Sequence, residues 1–509
     1  MKSIKYIKKT PLILILAFIA ISCQDYLDVN TDPNGPSLEN LTPEILLAAG
    51  QTRPVDVLMT DMNRLGNTML ATWSGNSQQF QTPFNVEFTH QINAGFYDQV
   101  WDRLYIRTGT LTQIINFESG ENYDYYKASA KILKSFYFQY LVDLYGDIPY
   151  TQAHLRGDNL FAEYDNQLDV YKALVEQLNQ AIDLINTTDT DTAISLSGSD
   201  YMFNGNVSEW KKLAYTVKLK LLVRLMDLAD QDGSIMAYLQ SEFVNLNSPD
   251  ATFVGLDENV TVNPGYADET GKMSPFAEIY GYNAGDFGGI ATNAHNVVGP
   301  TTFLVEFLNG TTTGVVDNRL ERFYKTRGGQ TEITGNTQGG VGLPSEIGPG
   351  LLSSPDQDAM VMSAAEALLL QAEAVQRGYL SNGQSAKSLF EDAIRSSFDY
   401  VGAEGADSYI ASANNVDKIG WDGSSNKIEA IITQKWIALG GINGAETWIE
   451  YTRTGFPANM PLSEITTRTT RPTRLLYPNS EYIGNTAHVS VYGQTTDSAF
   501  NTNIFWDVN

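Results

Sequence analysis

The sequence has a single cysteine, Cys23, among its 509 residues. One cysteine cannot form an intramolecular disulfide bond, and it cannot build a metal site that needs several thiolates. Basic residues are also scarce, with 33 Lys and Arg against 59 Asp and Glu. This balance argues against a nucleic-acid partner, because binding to phosphates requires clustered positive charge. The acidic excess is typical of a protein that self-repulsion keeps soluble at an exposed surface.

The usual catalytic signatures are missing from the sequence as well. It contains no G-x-S-x-G elbow, no phosphate-binding loop and no dinucleotide-binding fingerprint. The segment 189–191 (DTD) lacks the glycine and the distal glutamate of a calcium-binding loop. The four histidines are far apart and none forms an H-E-x-x-H motif: His90, His154, His295 and His488. These absences favour a protein without catalytic activity, and the sequence predicts no cofactor and no metal ion.

The beginning of the chain has the layout of a bacterial secretory signal. Four lysines between residues 2 and 9 precede an apolar run, 12–21, that is too short to span a bilayer comfortably. Ala20, Ile21 and Ser22 then lead to Cys23, so we predict a lipoprotein signal peptide over residues 1–22 and lipid attachment at Cys23. Several acyl chains together anchor a protein stably. The alternative is an ordinary cleaved signal with a cysteine placed there by chance. Residues 23–41 are polar, acidic and rich in turn formers, which predicts an acylated tether.

The most apolar helix pattern of the chain covers residues 127–150, KASAKILKSFYFQYLVDLYGDIPY. Its apolar and aromatic residues recur at helical spacing and form a wide face, so we expect a helix buried on most sides. Gly146 is positioned as a C-cap, and Pro149 prevents the helix from resuming. Other predicted helices or helical patterns lie at 43–50, 58–73, 97–117, 171–185, 210–228, 358–378, 385–400 and 427–439.

Residues 248–356 differ from the rest, because they are rich in Gly, Asn, Thr and Pro and have little helical periodicity beyond 303–308. The segment also carries many aromatic residues, which favour an ordered and functional region over a linker. The predicted fold class is mainly α: antiparallel helical pairs with a large, irregular, loop-rich insertion. The helical scaffold covers about 42–247 and 357–449, the insertion covers about 248–356, and the tail 450–509 is predicted to be loop-like.

Several segments resemble the SusD/RagB family of nutrient-binding outer-membrane lipoproteins. The run AKILKSFYFQYLVDLYGDIPYTQA at 130–153 is similar to the family's hallmark helix and its G-D-I-P-Y exit. The segment MSAAEALLLQAEAVQRG at 362–378 and the segment IITQKWIALGGINGAETWIEYTRTGFP at 431–457 resemble two later family elements. RLLYPNSEYIGN at 474–485, WDRLY at 101–105 and DVNTDPN at 28–34 fit as well. Together with Cys23, these segments follow the family's order along nearly the whole chain.

The resemblance implies a single SusD-like domain over 42–509, with degenerate tetratricopeptide-like helical pairs and a loop-rich ligand-binding half. It implies a lipid-anchored protein of the outer membrane, facing the cell exterior, that captures an oligosaccharide or, in some members, a peptide. It also implies a SusC-like TonB-dependent β-barrel transporter as partner. Ligand-contacting positions vary between members, so the resemblance assigns no binding residue.

Candidate binding residues follow from the chemistry of sugars. Flat aromatic rings cover the C–H face of a pyranose, while amides and carboxylates bond to its hydroxyls. We single out residues of two loops on this ground; the alternative for each aromatic is packing within its own loop. Trp101, Trp210 and Trp436 lie on helix stripes and are predicted to be core. The candidates are Trp73 and Gln78 in the first loop, and Tyr266, Tyr280, Tyr282, Asn283, Asp286 and Phe287 in the insertion.

Two acids leave an alternative function open. Glu366 and Glu373 share one helix face, and a pair of carboxylates can carry out glycoside hydrolysis. We interpret them instead as buried or paired structural acids, and Arg453 and Arg474 as residues that tie loops to helix ends or to carboxylates. The preferred hypothesis is a surface protein that binds a glycan without chemical change. The alternatives are a surface glycoside hydrolase and a helical scaffold that binds peptides or proteins.

Overall fold

The computed structural model describes residues 41–76, 84–155 and 159–509. The predicted signal peptide, Cys23, residues 23–40 of the tether and Gln78 lie outside these ranges. As the sequence predicts, the described residues form a mainly helical structure. They also contain a few strands of two to four residues. Among the helices of the described ranges, none is both long enough and apolar enough to cross a lipid bilayer.

Helices dominate the first half of the described chain, and a π-helical turn, Leu58–Met62, joins the first two of them into one rod. Consecutive long helices pack against each other, which gives the helical pairs that the sequence predicts. The helices are α1 (Pro43–Val57), α2 (Asn63–Met69), α3 (Phe84–Thr89), α4 (Asp98–Ile115), α5 (Asp124–Tyr145), α6 (Gln167–Thr187), α7 (Val207–Arg224), α8 (Met226–Ala229) and α9 (Gly233–Leu246).

Helix α5 lies at the centre of this half. Every residue from Ile132 to Tyr145 is buried, because α1, α4, α6 and α7 surround the helix. Gly146, with a positive φ of 85°, ends α5 by donating its N–H to the carbonyl of Val142 at 2.8 Å. The expected burial on most sides and the expected C-cap are both confirmed. The predicted core tryptophans, Trp101, Trp210 and Trp436, are also buried.

The second half alternates short helices and strands before long helices return. Helix α13 (Ala364–Gln376) packs against α14 (Ala386–Val401), α16 (Lys427–Leu439) and α7, so it connects the two ends of the scaffold. The remaining helices are α10 (Pro275–Tyr280), α11 (Thr302–Leu308), α12 (Leu320–Phe323), α13 (Ala364–Gln376), α14 (Ala386–Val401), α15 (Ala406–Ala413), α16 (Lys427–Leu439), α17 (Gly444–Thr454), α18 (Asn479–Gly484), α19 (Thr486–Val489) and α20 (Ser498–Asn501), with a 3₁₀ turn at Ser490–Tyr492.

The strands of the described residues are β1 (Trp73–Ser74), β2 (Val260–Val262), β3 (Gly299–Pro300), β4 (Tyr324–Lys325), β5 (Glu346–Ile347) and β6 (Ala359–Met362). They form antiparallel pairs, and two of these pairs fasten the insertion to the scaffold. β1 pairs with β3 through Trp73 opposite Pro300, and β2 pairs with β6, with an irregularity after Val260. The third pair, β4 with β5, lies within the insertion and places Tyr324 opposite Ile347.

Several predicted boundaries are wrong: the helical pattern expected to run to Trp73 ends at Met69, because Trp73 and Ser74 pair with β3, and two others are shifted. The helix expected from residue 358 begins at Ala364, because Ala359–Met362 extend along β2 and the Ser363 hydroxyl then caps the helix by accepting the N–H of Glu366 at 3.1 Å. The loop-like tail expected from residue 450 is still helical to Thr454, and Gly455 ends α17 in the left-handed region. Several helices were not predicted from the sequence, among them α9, α15 and α17.

Candidate ligand-binding site

Residues 281–292 form an exposed hairpin, called the binding hairpin below. The Asn283 N–H donates to the Ile290 carbonyl at 2.8 Å, and the Thr292 N–H donates to the Gly281 carbonyl at 3.0 Å. Gly285 and Gly288 adopt positive φ angles of 75° and 90°, which the turn at the tip requires. The hairpin begins directly after α10, so that helix fixes its base.

Asp286 holds the tip of the binding hairpin in shape. Its carboxylate Oδ2 accepts the N–H of Ile290 at 2.7 Å, and its carbonyl accepts the N–H of Gly289 at 2.7 Å. A Cβ on Gly289 would lie 2.0 Å from Oδ1 of Asp286, so the carboxylate folds tightly over a residue that must be small. The Asp286 side chain thus stabilises the turn, and the residue is exposed to solvent.

The hairpin presents an aromatic pair. Phe287 is 42% exposed, and its ring centroid lies 5.3 Å from that of the half-buried Tyr282, at an interplanar angle of 71°. Ile290, which is 66% exposed, is on the same hairpin. This edge-to-face contact supports Phe287 from beneath, so the tip offers a fixed apolar surface to solvent.

Charged residues from β4 and β5 lie under this pair. Lys325 donates from Nζ to the Tyr282 hydroxyl at 2.8 Å, and its ammonium lies 5.5 Å from the centre of the Tyr282 ring. Glu346 lies between Lys325, at 3.5 Å, and Arg327, at 3.2 Å. The base of the hairpin therefore combines hydrogen-bond donors and an acceptor beside an aromatic face.

His295 supports Tyr282 from the protein interior. The His295 ring centroid is 4.7 Å from that of Tyr282, and Nδ1 is 2.7 Å from the Tyr280 carbonyl oxygen. Burial lowers the pKa of His295 despite the nearby carboxylate of Glu346, so the imidazole is neutral at pH 7. Donation from Nδ1 to the carbonyl leaves Nε2, which faces Glu346 at 3.6 Å, as the unprotonated nitrogen.

Four of the sequence-derived candidates, Tyr282, Asn283, Asp286 and Phe287, meet in the binding hairpin. Tyr266 lies in the neighbouring loop, whose Asp268 accepts the N–H of Gly285 at 2.7 Å. The Tyr266 hydroxyl is buried, and burial together with the charges of nearby scaffold carboxylates raises its pKa. The Tyr266 ring is half-buried against the scaffold, so it borders the hairpin without joining the aromatic pair.

Two candidates need correction. Trp73 has 0% exposure and Tyr280 has 2%, and their rings pack edge to face with centroids 5.2 Å apart. Trp73 belongs to β1, paired with Pro300, while Tyr280 donates its hydroxyl to the Thr60 carbonyl at 3.3 Å. Neither ring offers a face to a ligand in this structure, because the two rings pack against each other and Tyr280 is fixed to the π-helical turn Leu58–Met62. Gln78 lies outside the described residues.

A cavity of about 270 Å³ lies close to this region, and the sequence analysis missed it. Arg64, Phe96 and Tyr97 line it, and Arg64 lies near Tyr280: burial raises the pKa of Tyr280, and the Arg64 guanidinium partly opposes this. Arg64 is 3.3 Å from Glu87, and the Tyr97 hydroxyl donates to the same carboxylate. The residues come from three separate segments, so no single stretch of sequence signals the cavity.

The two acids considered for hydrolysis are structural, as interpreted from the sequence. Glu366 accepts from Lys220 Nζ at 2.6 Å, and Glu373 accepts from both Nη atoms of Arg453 at 2.9 and 2.8 Å. Both glutamates are buried in the scaffold, where a sugar chain has no access. Arg474 donates to the Tyr145 carbonyl at the end of α5, which confirms its expected role. Within the described ranges, no group of three or more His, Cys, Asp or Glu side chains is placed to hold a metal ion.

Solved structures with the same architecture are numerous. A chitin-binding SusD homologue from Flavobacterium johnsoniae is 22% identical, with a TM-score of 0.70 over 91% of this chain and 99% of the other. Another protein described as chitin-binding is 21% identical, with a TM-score of 0.71 over 92% of this chain and all of the other. A SusD-like protein from Bacteroides thetaiotaomicron is 20% identical, with a TM-score of 0.67 over 92% of this chain and 99% of the other. These similarities establish the fold.

The sequence itself establishes the family. No curated protein sequence matches the chain. Residues 36–478, however, match the SusD-like family described as starch-binding and associating with the outer membrane. The match covers most of the chain, and it spans both the helical scaffold and the insertion that carries the binding hairpin. The chain therefore belongs to the SusD-like family.

Proposed function

We propose that this protein is a lipid-anchored outer-membrane protein that binds a nutrient oligosaccharide at the cell surface and delivers it, unchanged, to a TonB-dependent transporter. The observation that carries the proposal is the exposed Phe287 supported by Tyr282 above the charged residues of β4 and β5. A pyranose laid on the Phe287 ring buries its C–H face there. Its hydroxyls then reach the carboxylate of Asp286 and the amide of Asn283, which are exposed on the same hairpin.

The charges around the hairpin favour binding over chemistry. Hydrolysis of a glycosidic bond needs two accessible carboxyl groups on opposite sides of the bond, one of them protonated. Glu346 is held in ion pairs with Lys325 and Arg327. Asp286 is engaged by the hairpin backbone. Both acids are therefore suited to accept hydrogen bonds from hydroxyls.

Binding is tested with the purified mature protein and oligosaccharides of known linkage. Two relatives are described as chitin-binding and the family description names starch, so chito- and malto-oligosaccharides are the first probes. Isothermal titration calorimetry should give saturable binding that Phe287→Ala weakens about tenfold. Phe161→Ala is the matched control, because Phe161 is 59% exposed and lies outside the insertion. Equal affinity of both variants and wild type for every bound glycan would contradict the role of the hairpin.

The same mixtures distinguish the alternatives. New reducing ends after incubation would favour a glycoside hydrolase, and binding of peptides in place of glycans would favour the peptide-binding alternative. No observation on the described residues favours either over passive glycan binding.

The anchor and the transporter are tested in the native cell. Labelled fatty acid should be incorporated into the wild-type protein, and Cys23→Ser should abolish the label and release the protein from the membrane fraction. An affinity tag on the wild-type protein should recover a large β-barrel protein from mild detergent. A wild-type protein without label would contradict the anchor, and recovery without a barrel would contradict the partner.

A further inference from the structure

A second cavity lies in the tail of the chain, far along the sequence from the binding hairpin. Its volume is about 440 Å³, and we call it the tail cavity. Tyr451 at the end of α17, Arg471 in the following loop, and Asn503 and Asp507 after α20 contribute to its wall. The proposed function uses none of these residues.

Asp507 is the unexplained group of the tail cavity. Its side chain lines the cavity although the residue is only 8% exposed. The carboxylate accepts one hydrogen bond, from the N–H of Asn509 at 3.3 Å, and no Lys, Arg or His of residues 41–76, 84–155 and 159–509 lies within ion-pair distance of it. Burial raises its pKa to about 6, so the carboxylate is ionised at neutral pH at an energetic disadvantage. A carboxylate so placed has unused acceptor capacity that faces the cavity.

The opposite charge in the wall is already engaged. Arg471 donates from Nε to the Met69 carbonyl at 2.7 Å, from Nη1 to the Met460 carbonyl at 3.1 Å and from Nη2 to the Pro461 carbonyl. These bonds hold the guanidinium in place, 5.5 Å from the ring of Tyr451. The wall thus contains one acid and one base that are not paired with each other, so its formal charges balance and neither sign of ligand charge is favoured by the wall as a whole.

The remaining lining gives the chemistry of the ligand. Three threonines of the 469–473 segment and two asparagines add hydroxyl and amide groups, while Tyr451, Met460 and Phe500 provide apolar surface. Hydroxyl-rich molecules with a C–H face match such a mixture, because sugar recognition combines apolar walls with a few polar groups that fix orientation. Hydroxyl donors make short, charge-assisted hydrogen bonds to an ionised carboxylate.

We propose that the tail cavity is a second binding site, separate from the binding hairpin, that takes one neutral polyhydroxylated unit such as a monosaccharide. Asp507 accepts hydrogen bonds from its hydroxyls, and the threonines and asparagines complete the polar contacts. The site binds without a chemical step. It stands independently of the hairpin, since the two share no residue.

The test uses the full mature chain with Phe287→Ala in the background, so that binding at the hairpin is weakened. Glucose and N-acetylglucosamine are the neutral probes, while glucosamine and glucuronate are the charged ones, and protein-observed NMR titration follows each. We expect saturable binding of a neutral probe, weakened about tenfold by Asp507→Asn. Asp407→Asn is the matched control, because Asp407 is exposed and pairs with Arg395 away from the cavity.

Thr470→Val provides a second variant whose folding is not at risk, since Thr470 is an exposed residue of the cavity wall. It too should weaken binding of the neutral probe. Absence of saturable binding, or equal binding by wild type, Asp507→Asn and Thr470→Val, would overturn the proposal. Stronger binding of glucosamine or glucuronate than of both neutral probes would overturn the ligand class. Loss of oligosaccharide binding in Phe287→Ala bears on the hairpin alone, so the two proposals fail separately.

Discussion

Arg224 and Glu446 meet in the interior of the scaffold, where Nη2 of the arginine lies 3.1 Å and 2.9 Å from the two carboxylate oxygens of the glutamate. Lys220 and Lys435 approach the same carboxylate at 2.8 Å and 2.7 Å. All four side chains are at most 2% exposed. The cluster joins α7 to α16 and α17, so two distant parts of the sequence meet at this buried acid.

The first prediction concerns this acid. Glu446→Gln leaves three buried cations with one negative charge fewer, and removing one partner from a buried pair typically costs about 3–5 kcal/mol. We expect the free energy of unfolding to fall by that amount, measured by urea denaturation followed by circular dichroism. Glu404→Gln, at an exposed position, should leave the unfolding midpoint unchanged. A Glu446→Gln protein as stable as wild type would show that the cluster contributes nothing net.

The second prediction is a pH dependence from the same cluster. Burial raises the pKa of Glu450, but Arg453, Lys435 and Arg224 outweigh burial and lower it to about 2, from an ordinary value of 4.5. The lowered pKa means that the stabilisation is fully present above pH 4.5 and is lost as pH falls towards 2. We expect the free energy of unfolding to decline over this range, and more gently in Glu450→Gln. Parallel curves for wild type and variant would contradict the assignment, and Glu404→Gln should follow wild type.

The third prediction tests a close helix crossing between α2 and α17. A Cβ on Gly66 would lie 1.8 Å from the Gly444 carbonyl oxygen and 2.4 Å from the Ala445 nitrogen. Both obstacles are backbone atoms, so relief requires the helices to separate, and Gly66→Ala should destabilise the protein by about 3 kcal/mol or more. Gly484→Ala is the control, because nothing lies within 4 Å of a Cβ there. Thermal unfolding of both variants checks this, and equal midpoints would mean that the helices move apart easily.

This crossing illustrates which part of the fold the sequence could predict. Helix α5 was predictable because its apolar residues repeat at helical spacing over 22 residues and Gly146 follows as a stop. The contact between Gly66 and Gly444 was not, because periodicity within a segment carries no information about a partner 378 residues away. The strand at Ala359–Met362 was missed for a related reason: its four buried residues are strand-forming only in the presence of β2.

The candidate site, too, could be predicted from the sequence only in part. Sequence composition predicts an irregular insertion, and Tyr282, Asn283, Asp286 and Phe287 of that segment meet because they are neighbours along one hairpin. Trp73 and Tyr280 have the same chemistry but are buried against each other, since the pairing of β1 with β3 turns Trp73 inward. An aromatic residue in a loop is equally suited to stacking on a ligand or to packing, and only the tertiary partners decide between the two.

The fourth prediction concerns the Asp286 side chain of the binding hairpin, in a variant that keeps the aromatic pair. Asp286→Ala removes the carboxylate that accepts the Ile290 N–H at 2.7 Å, while Phe287 and Tyr282 remain. We expect a loss of oligosaccharide affinity of about tenfold, because an unfixed tip must be ordered on binding and the acceptor that Asp286 offers to sugar hydroxyls is removed. The stability of the scaffold should be unchanged, since the hairpin is exposed. Calorimetric titration measures the affinity, and urea denaturation measures the stability. Unchanged affinity would mean that the Asp286 carboxylate is not needed at the tip for binding.

The last prediction uses Asp507, whose pKa burial raises to about 6 from an ordinary value of 3.8. An acid with a raised pKa destabilises the fold when ionised: the cost is absent below pH 3.8, grows between 3.8 and 6, and is complete above 6. Asp507→Asn removes the charge, so it should raise the free energy of unfolding at pH 7.5 by at most about 3 kcal/mol and leave it unchanged at pH 3.5. Urea denaturation at both pH values measures this, with Asp407→Asn as the exposed control.

The direction of this effect distinguishes a structural from a functional carboxylate. A structural Asp507 would make the variant less stable at pH 7.5, because a needed contact would be lost. A carboxylate retained for a ligand predicts two different results. The Asp507→Asn variant is then more stable than wild type at pH 7.5, and it binds a neutral monosaccharide less tightly. Such a trade-off between stability and binding is typical of functional sites. Measuring unfolding and sugar binding on one preparation of the variant therefore tests the role of the tail cavity directly.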